Sequence, residues 1–118
     1  MGQPVAMFEI VSTDHERLGR FYEQLFDWKV DGAPGDDGYA LVDTQSEPIP
    51  LMGGIRPSMG EGDTGVKFYV RVDDLAAYLD RAEQLGGARL VEPTELPDGF
   101  GTFAMFTDPD GNTVGLWA

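Results

Sequence analysis

Apolar and polar residues alternate along two segments of the chain, and the segments match each other without gaps at an offset of 60 residues. They span residues 7–30 and 67–90, and the matched positions include Phe8 with Phe68, Ile10 with Val70, and Asp14 with Asp74. In the second segment, apolar residues occupy every other position from Phe68 to Val72, and polar or polar-tipped residues fill the positions between them. Each segment is therefore predicted to begin as a half-buried strand.

Apolar residues spaced three and four apart follow each strand and predict an amphipathic helix. They are Leu18, Phe21, Tyr22 and Leu25 in the first helix, and Leu75, Tyr78, Leu79, Ala82 and Leu85 in the second. Thr13 and Glu16 have the spacing of a capping box, which predicts Thr13 as the first N-cap. At the matching position, Asp73 is predicted to cap the second helix, and Gly86 with Gly87 to end it.

Three short extended segments are predicted after each helix, separated by turns such as residues 35–38 and 108–112. They cover residues 28–30, 39–43 and 50–55, then 88–91, 101–107 and 113–117. The chain is thus predicted to be a single domain of two βαβββ modules, residues 1–56 and 66–118, joined by a linker of residues 57–65. The linker glycines between Gly60 and Gly65 fit the dinucleotide-binding string G-x-G-x-x-G, but they precede a strand, so we interpret them as a flexible linker.

Composition narrows the possible functions. The 118 residues carry a net charge of −13, which disfavours nucleic acid and anionic membranes as partners. The absence of cysteine excludes disulfides, thiolate metal sites and thiol nucleophiles. No apolar run reaches the length of a membrane span, so the expected location is the cytoplasm.

The two modules resemble the vicinal oxygen chelate superfamily, which includes glyoxalase I, the bleomycin-resistance proteins and the extradiol dioxygenases. The resemblance covers the whole chain, and its most specific segments are residues 8–10, 21–22, 25–28, 53–54, 86–87 and 108–112. It implies an α+β fold in which two tandem βαβββ modules form a curved mixed sheet, a cup, with the helices on the convex face. It also implies a homodimer.

In the metal enzymes of that superfamily, four His or Glu side chains on the first and last strands of the modules hold a divalent ion. The resemblance places these positions at Met7, at Lys67, at Gly53 or Gly54, and at Gly115. None of these residues is a ligand for such an ion. The only histidine, His15, is expected on the surface in the first turn of a helix. We therefore expect no metal and no other cofactor.

Strand parity predicts which side chains line the cup. Those assigned to ligand binding are Met7, Met52, Gly54, Tyr69, Arg71, Phe103, Gly115 and Trp117. The glycines are expected to leave open volume where the superfamily has metal ligands. Tyr69 and Arg71 either orient an anionic group or lie at the rim, and Phe103 and Trp117 either stack on a ligand ring or pack in the core. Glu9 and Lys67 are the candidate catalytic acid and base, or else a structural ion pair.

Three functions remain open, and the sequence does not decide whether the protein is an enzyme. The first is a metal-free protein of the bleomycin-resistance type that binds a small organic molecule, aromatic or cationic, in its cup. The second is a metal-independent lyase or isomerase that uses Glu9 and Lys67. The third is a diverged metal-dependent enzyme of the glyoxalase or dioxygenase type whose ligands lie at unidentified positions.

Overall fold

The computed structural model describes residues 2–31, 39–46, 51–60, 63 and 65–118. Its helices are α1 (His15–Phe26) and α2 (Leu75–Gln84), and a 3-10 turn covers Pro97–Gly99. Its strands are β1 (Val5–Ser12), β2 (Lys29–Val30), β3 (Ala40–Asp43), β4 (Met52–Pro57), β5 (Gly65–Arg71), β6 (Ala88–Glu95), β7 (Thr102–Thr107) and β8 (Thr113–Trp117). This order confirms the predicted repetition of βαβββ and the α+β class. The turn predicted at residues 35–38, the start of the third extended segment at residue 50, and linker residues 61, 62 and 64 lie outside the described residues.

The first of two compact units is Met7–Val66. Its strands lie in the order β2-β3-β4-β1, with β1 parallel to β4 and the other neighbours antiparallel. The apolar face of these strands packs against α1, in a cluster built from Ile10, Ala40, Val42 and Ile55 with Phe8, Leu18, Tyr22, Trp28 and Val30. The opposite face of the sheet is therefore free of the helix.

The second unit is Lys67–Ala118 together with the N-terminal segment as far as Ala6. Its strands lie in the order β5-β8-β7-β6, with β5 parallel to β8 and the other neighbours antiparallel. Val72, Leu75, Leu79, Ala104 and Leu116 form its buried cluster, which α2 covers. Each unit thus has one helix-covered face and one helix-free face.

Both predicted N-caps are wrong by one residue. The caps are Asp14, whose carboxylate accepts the N–H of Arg17 at 3.2 Å, and Asp74, whose carboxylate accepts the N–H of Ala77 at 3.1 Å. Because α1 begins at His15, its third residue is Arg17 rather than the Glu16 that a capping box from Thr13 requires. The two caps match each other at the offset of 60, so the two helices begin at equivalent positions of the repeat.

The C-terminal end of α2 agrees with the predicted glycine stop. After α2, Gly86 has a left-handed φ of 104°, and the N–H of Gly87 donates to the carbonyl of Ala82 at 2.8 Å, as the predicted Gly86-Gly87 stop requires. Among the described residues, neither helix combines the length and the apolarity that crossing a membrane requires.

Candidate functional site

Strand parity in the first unit puts Glu9 on the helix-free face. Its neighbours Phe8 and Ile10 pack towards α1, whereas Glu9 is only 3% exposed on the other side. The parallel register of β1 and β4 pairs Glu9 with Gly54 and Met7 with Met52. The structure therefore brings together the predicted residues Met7, Glu9, Met52 and Gly54 on one sheet face.

The Glu9 carboxylate is held by side chains from two other parts of the first unit. The hydroxyl of Tyr39 donates to Oε2 of Glu9 at 2.9 Å, and Nε of Arg56 donates to Oε1 at 2.9 Å. Arg56 also donates two hydrogen bonds to Asp63, at 2.7 and 2.9 Å. We call these four residues the Glu9 network. The hydrogen bond to Asp63, followed by the hydrogen bond to Glu9, raises the pKa of Arg56 above the already high value of an ordinary arginine. Its guanidinium therefore stays charged.

Gly54 makes the Tyr39–Glu9 contact possible. A Cβ atom at position 54 would overlap the Tyr39 hydroxyl, so any other residue there would displace the phenol. The expectation of open volume above this glycine is wrong, because the phenol of Tyr39 fills the space. Gly54 therefore makes room for the protein's own Tyr39 side chain.

The same arrangement recurs in the second unit. Tyr69 pairs with Gly115 in the parallel register of β5 and β8, and a Cβ atom on Gly115 would overlap the Tyr69 ring. Met105 pairs with Gly115 from the other side and is buried. The open volume expected above Gly115 is therefore also filled by an aromatic ring.

Arg71 and Trp117 lie beside this ring on the helix-free face of the second unit. The two residues pair in register, and the guanidinium carbon of Arg71 lies 5.1 Å from the centre of the Trp117 ring. The indole Nε1 of Trp117 donates to the carbonyl of Phe100 at 2.8 Å. Phe103 pairs with Trp117 from β7, and both are half-buried. Lys67, on the same face of β5, is buried, whereas Arg71 is exposed.

Sequence reasoning missed three members of the Glu9 network. The predicted third strand of the first module ends at Ile55, but β4 continues to Pro57 and so includes Arg56. Alternate residues of a strand share one face, so Arg56, two residues after Gly54, lies on the same face as Glu9. Tyr39 begins the predicted extended segment 39–43, and alternation with Ala40 and Val42 already places it on the helix-free face, although nothing in the sequence pairs it with Glu9. Asp63 carried no such signal, because it lies in the predicted linker.

His15 is not the solvated surface residue that the sequence predicts. It is half-buried, and its Nε2 atom is buried without a hydrogen-bond partner among the described residues. It lines a groove of about 200 Å³ together with Gly19, Val30 and Ala40, on the α1 side of the sheet. The histidine is therefore remote from the helix-free face that carries Glu9.

A larger groove, of about 460 Å³, also lies on the α1 side of the first unit. Three aromatic side chains contribute to its wall, and two of them, Tyr22 and Trp28, have stacked rings 5.3 Å apart between centres. Its lining residues are Phe8, Ile10, Tyr22, Trp28, Thr44, Ser46, Leu51 and Val66. None of the predicted site residues lines it.

The residues at the superfamily's metal positions do not fit a divalent ion. Met7 and Lys67 offer no suitable donor, and tyrosine side chains occupy the space above Gly54 and Gly115 into which a ligand side chain would project. Among the described residues, no group of three or more His, Cys, Asp or Glu converges on a common point. We therefore derive no chemistry through a metal at these positions.

Comparisons with known proteins agree with this architecture. A family model described as "Glyoxalase-like domain" matches residues 7–117. The chain is 33% identical over 116 residues to a glyoxylase-like domain-containing protein of Didymella fabae, covering 92% of this chain and 88% of the relative. It is 30% identical over 113 residues to the putative glyoxylase CFP32 of Mycobacterium tuberculosis, with 92% of this chain covered. The match spans only 43% of CFP32.

A solved structure shows the same fold. It is a member of the glyoxalase/bleomycin resistance protein/dioxygenase superfamily from Vibrio splendidus 12B01, with a TM-score of 0.60 and 16% sequence identity. The superposition covers 98% of this chain and 97% of that one. At this identity the likeness concerns the fold alone.

Proposed function

The chain belongs to the glyoxalase-like domain family, and from that premise we propose that it binds a small organic molecule on the helix-free faces of its modules, without a metal ion. The proposed contacts are Met7 and Met52 in the first unit, and Tyr69, Arg71, Phe103 and Trp117 in the second. Gly54 and Gly115, also predicted for the site, lie beneath Tyr39 and Tyr69 and contribute by making room for these rings.

One observation carries the metal-free part of this proposal. At both glycines that stand where the resemblance expects last-strand metal ligands, a tyrosine of the same unit fills the space above the backbone. Tyr39 and Tyr69 thus replace two carboxylate ligands with aromatic rings. Aromatic and methionine side chains with a few polar groups are the usual lining of a site for a small organic molecule.

A second candidate, a metal-independent lyase or isomerase, is favoured by the contact between Tyr39 and Glu9. A buried carboxylate that accepts a hydrogen bond from a phenol is an arrangement that can transfer a proton to or from a bound substrate. Lys67, buried on β5, is the proposed partner in acid–base chemistry. The name of CFP32 as a putative glyoxylase gives general support to an enzymatic role.

Metal content separates these two candidates from a diverged metal enzyme. The protein is purified without a metal-affinity tag, and its divalent ions are measured by inductively coupled plasma mass spectrometry. Less than about one-tenth of an ion per chain is expected, because the residues at the superfamily's metal positions are not metal ligands. A true structural or catalytic site would be occupied close to stoichiometrically. One tightly held divalent ion per chain would contradict the metal-free proposal and favour the third candidate.

Ligand binding is tested by thermal-shift screening against aromatic acids, aromatic amines and cationic antibiotics. A compound that binds the folded state stabilises it by a free energy that grows with the logarithm of ligand concentration above the Kd, so at least one class is expected to give a concentration-dependent increase in melting temperature. Trp117→Ala is expected to lose the increase, whereas Met59→Ala, which alters an exposed side chain in the predicted linker, is expected to keep it. A panel without any increase would contradict the binding proposal.

Catalysis is tested on any compound that binds. If the second candidate is correct, Glu9→Gln and Lys67→Met abolish turnover while binding persists, because each removes a proton-transfer group. Full activity in both variants would contradict the acid–base assignment and leave the binding proposal intact.

We also propose that the protein is a cytoplasmic homodimer. Phe21, Leu25 and Phe26 are each more than half exposed along α1, and an exposed apolar patch of this kind is typical of a protein interface. Light scattering is expected to give twice the mass of one chain, and Phe21→Glu is expected to lower it to one. A wild-type protein of monomer mass would contradict the homodimer.

A further inference from the structure

The helix-free face of the second unit has a charge opposite to that of the protein as a whole. The chain has 21 acidic and 8 basic residues. Yet the described residues of β5, β7 and β8 that share this face include two cations and no acid. They are Lys67, Tyr69, Arg71, Phe103, Met105, Thr107, Thr113, Gly115 and Trp117. This face is therefore locally positive in a protein whose net charge is strongly negative.

Arg71 differs from the arginines that form ion pairs. Arg56 binds Glu9 and Asp63, Arg89 binds Asp80, Glu83 and Glu92, and Arg17 lies near Asp14. Within the described part of the chain, the Arg71 side chain lies within ion-pair distance of no carboxylate, and its contact is with the Trp117 ring. In a chain with so many acids, this guanidinium keeps its hydrogen-bonding capacity for another anion.

The Trp117 ring lies beneath the guanidinium of Arg71, 5.1 Å from its central carbon to the ring centre. Trp117 is fixed by the bond from its indole Nε1 to Phe100 and by its place in β8, while the backbone N–H of Arg71 donates to the carbonyl of Pro4 at 3.0 Å. A guanidinium stacked on an aromatic ring keeps its N–H groups in its own plane, directed away from the ring. Such a pre-oriented fork matches the two oxygens of a carboxylate or phosphate.

We propose that Arg71, held over the Trp117 ring, binds an anionic oxygen group of the ligand, a carboxylate or a phosphate, while Trp117 and Phe103 contact an apolar ligand body. This inference rests on the proposed binding function and assigns its ligand class. It opposes the cationic ligand that the net charge of −13 suggests, because a ligand is recognised by the side chains it touches rather than by the sum over the surface.

The two tryptophans allow the proposal to be tested at a single site. The indole N–H signals of Trp28 and Trp117 are recorded by ¹⁵N–¹H NMR, and Trp117→Phe assigns them. The protein is titrated with phenylacetate, phenyl phosphate, neutral phenylacetamide and cationic phenethylamine. The two anions are expected to shift the Trp117 signal and leave Trp28 unchanged, and phenylacetamide to bind at least about tenfold more weakly. The stronger of the two anions identifies the group as carboxylate or phosphate.

Variants separate the guanidinium fork from charge alone. Arg71→Gln is expected to weaken anion binding at least about tenfold, and Arg71→Lys to restore part of it, because lysine keeps the charge but loses the planar fork. Arg81→Gln is the matched control: it removes one positive charge from an exposed position on α2 and is expected to leave binding unchanged. An unchanged circular dichroism spectrum and urea-unfolding midpoint in each variant show that the second unit, which contains Arg71 and Arg81, keeps its fold.

Each remaining outcome overturns the assignment. Equal binding of phenylacetamide shows that no anion is recognised, and unchanged binding by Arg71→Gln shows that Arg71 does not recognise it. Small-molecule binding itself stands in both cases. Preference for phenethylamine shows that the face takes cations. Absence of any Trp117 shift rejects the site, and the thermal-shift panel then decides the binding proposal separately.

Discussion

The hydroxyl of Tyr39 donates a 2.9 Å hydrogen bond to the buried carboxylate of Glu9. The phenol reaches Glu9 by passing over Gly54, where a Cβ atom would collide with its oxygen. One of the two glycines to which the resemblance assigns a metal ligand thus makes room here for a tyrosine against a carboxylate.

The first prediction concerns Gly54. Gly54→Ala is expected to lower the free energy of unfolding by about 1–3 kcal/mol, because the added methyl group displaces Tyr39 from Glu9. Urea denaturation measures the change. Gly2→Ala is the control, since a Cβ atom there meets no atom within 4 Å. In a Tyr39→Ala background the loss at position 54 is expected to shrink, and an equal loss in both backgrounds would contradict the steric explanation.

The second prediction concerns the ion pair between Arg56 and Glu9. Arg56→Met is expected to cost about 3 kcal/mol of stability, because it leaves the Glu9 carboxylate buried without its cation. Arg81→Met, at an exposed position on α2, is expected to cost less than about 0.5 kcal/mol. A double-mutant cycle with Glu9→Gln is expected to show a coupling of at least about 1 kcal/mol. Strict additivity would show that the two side chains do not stabilise each other.

The third prediction concerns the helix N-caps. Asp14→Ala and Asp74→Ala are each expected to cost about 1 kcal/mol, because each removes the acceptor for a backbone N–H in the first turn. The neighbouring variants Thr13→Ala and Asp73→Ala are expected to change the unfolding free energy by less than about 0.5 kcal/mol. Thermal or urea unfolding of the four variants gives the comparison. A larger cost at Thr13 than at Asp14 would restore the capping box inferred from the sequence.

The fourth prediction concerns pH and the turn before β8. The side-chain amide of Asn112, followed by backbone N–H groups of the turn, lowers the pKa of Asp108 below its ordinary value of 3.8. A lowered pKa in the folded state means that ionised Asp108 stabilises the fold above that ordinary value, and that the stabilisation is lost as the pH falls through the lowered pKa.

The stability difference between wild type and Asp108→Ala is therefore expected to be greatest at neutral pH and to shrink below about pH 4. Urea unfolding across that pH range measures it. Asp110→Ala, which removes a carboxylate two residues along the same turn, is the matched control. A difference that stays constant with pH would assign the role of Asp108 to something other than its charge.

The repeat could be predicted from the sequence because its two copies match without gaps at an offset of 60 residues. Strand parity could be predicted because it follows from local alternation of apolar and polar residues. Alternation at Phe8, Glu9 and Ile10 indicates which side chains face α1 and which face away, whatever the rest of the chain does. The match of Asp14 with Asp74 likewise reflects two helices that begin at equivalent points of a duplicated unit. The capping motif predicted each N-cap one residue too early. Several polar residues precede each helix, and the cap is set by the residue at which the helix begins.

What the sequence determined by itself was therefore the duplicated βαβββ architecture and the absence of ligand side chains at the superfamily's metal positions. The tertiary structure decided what stands there instead. Tyr39 and Arg56 lie 30 and 47 residues from Glu9 along the chain, and only the pairing of β1 with β4 and the course of the chain into β3 bring them to it. The space above a glycine is a property of its neighbours in three dimensions, so only the fold shows that Tyr39 and Tyr69 fill it.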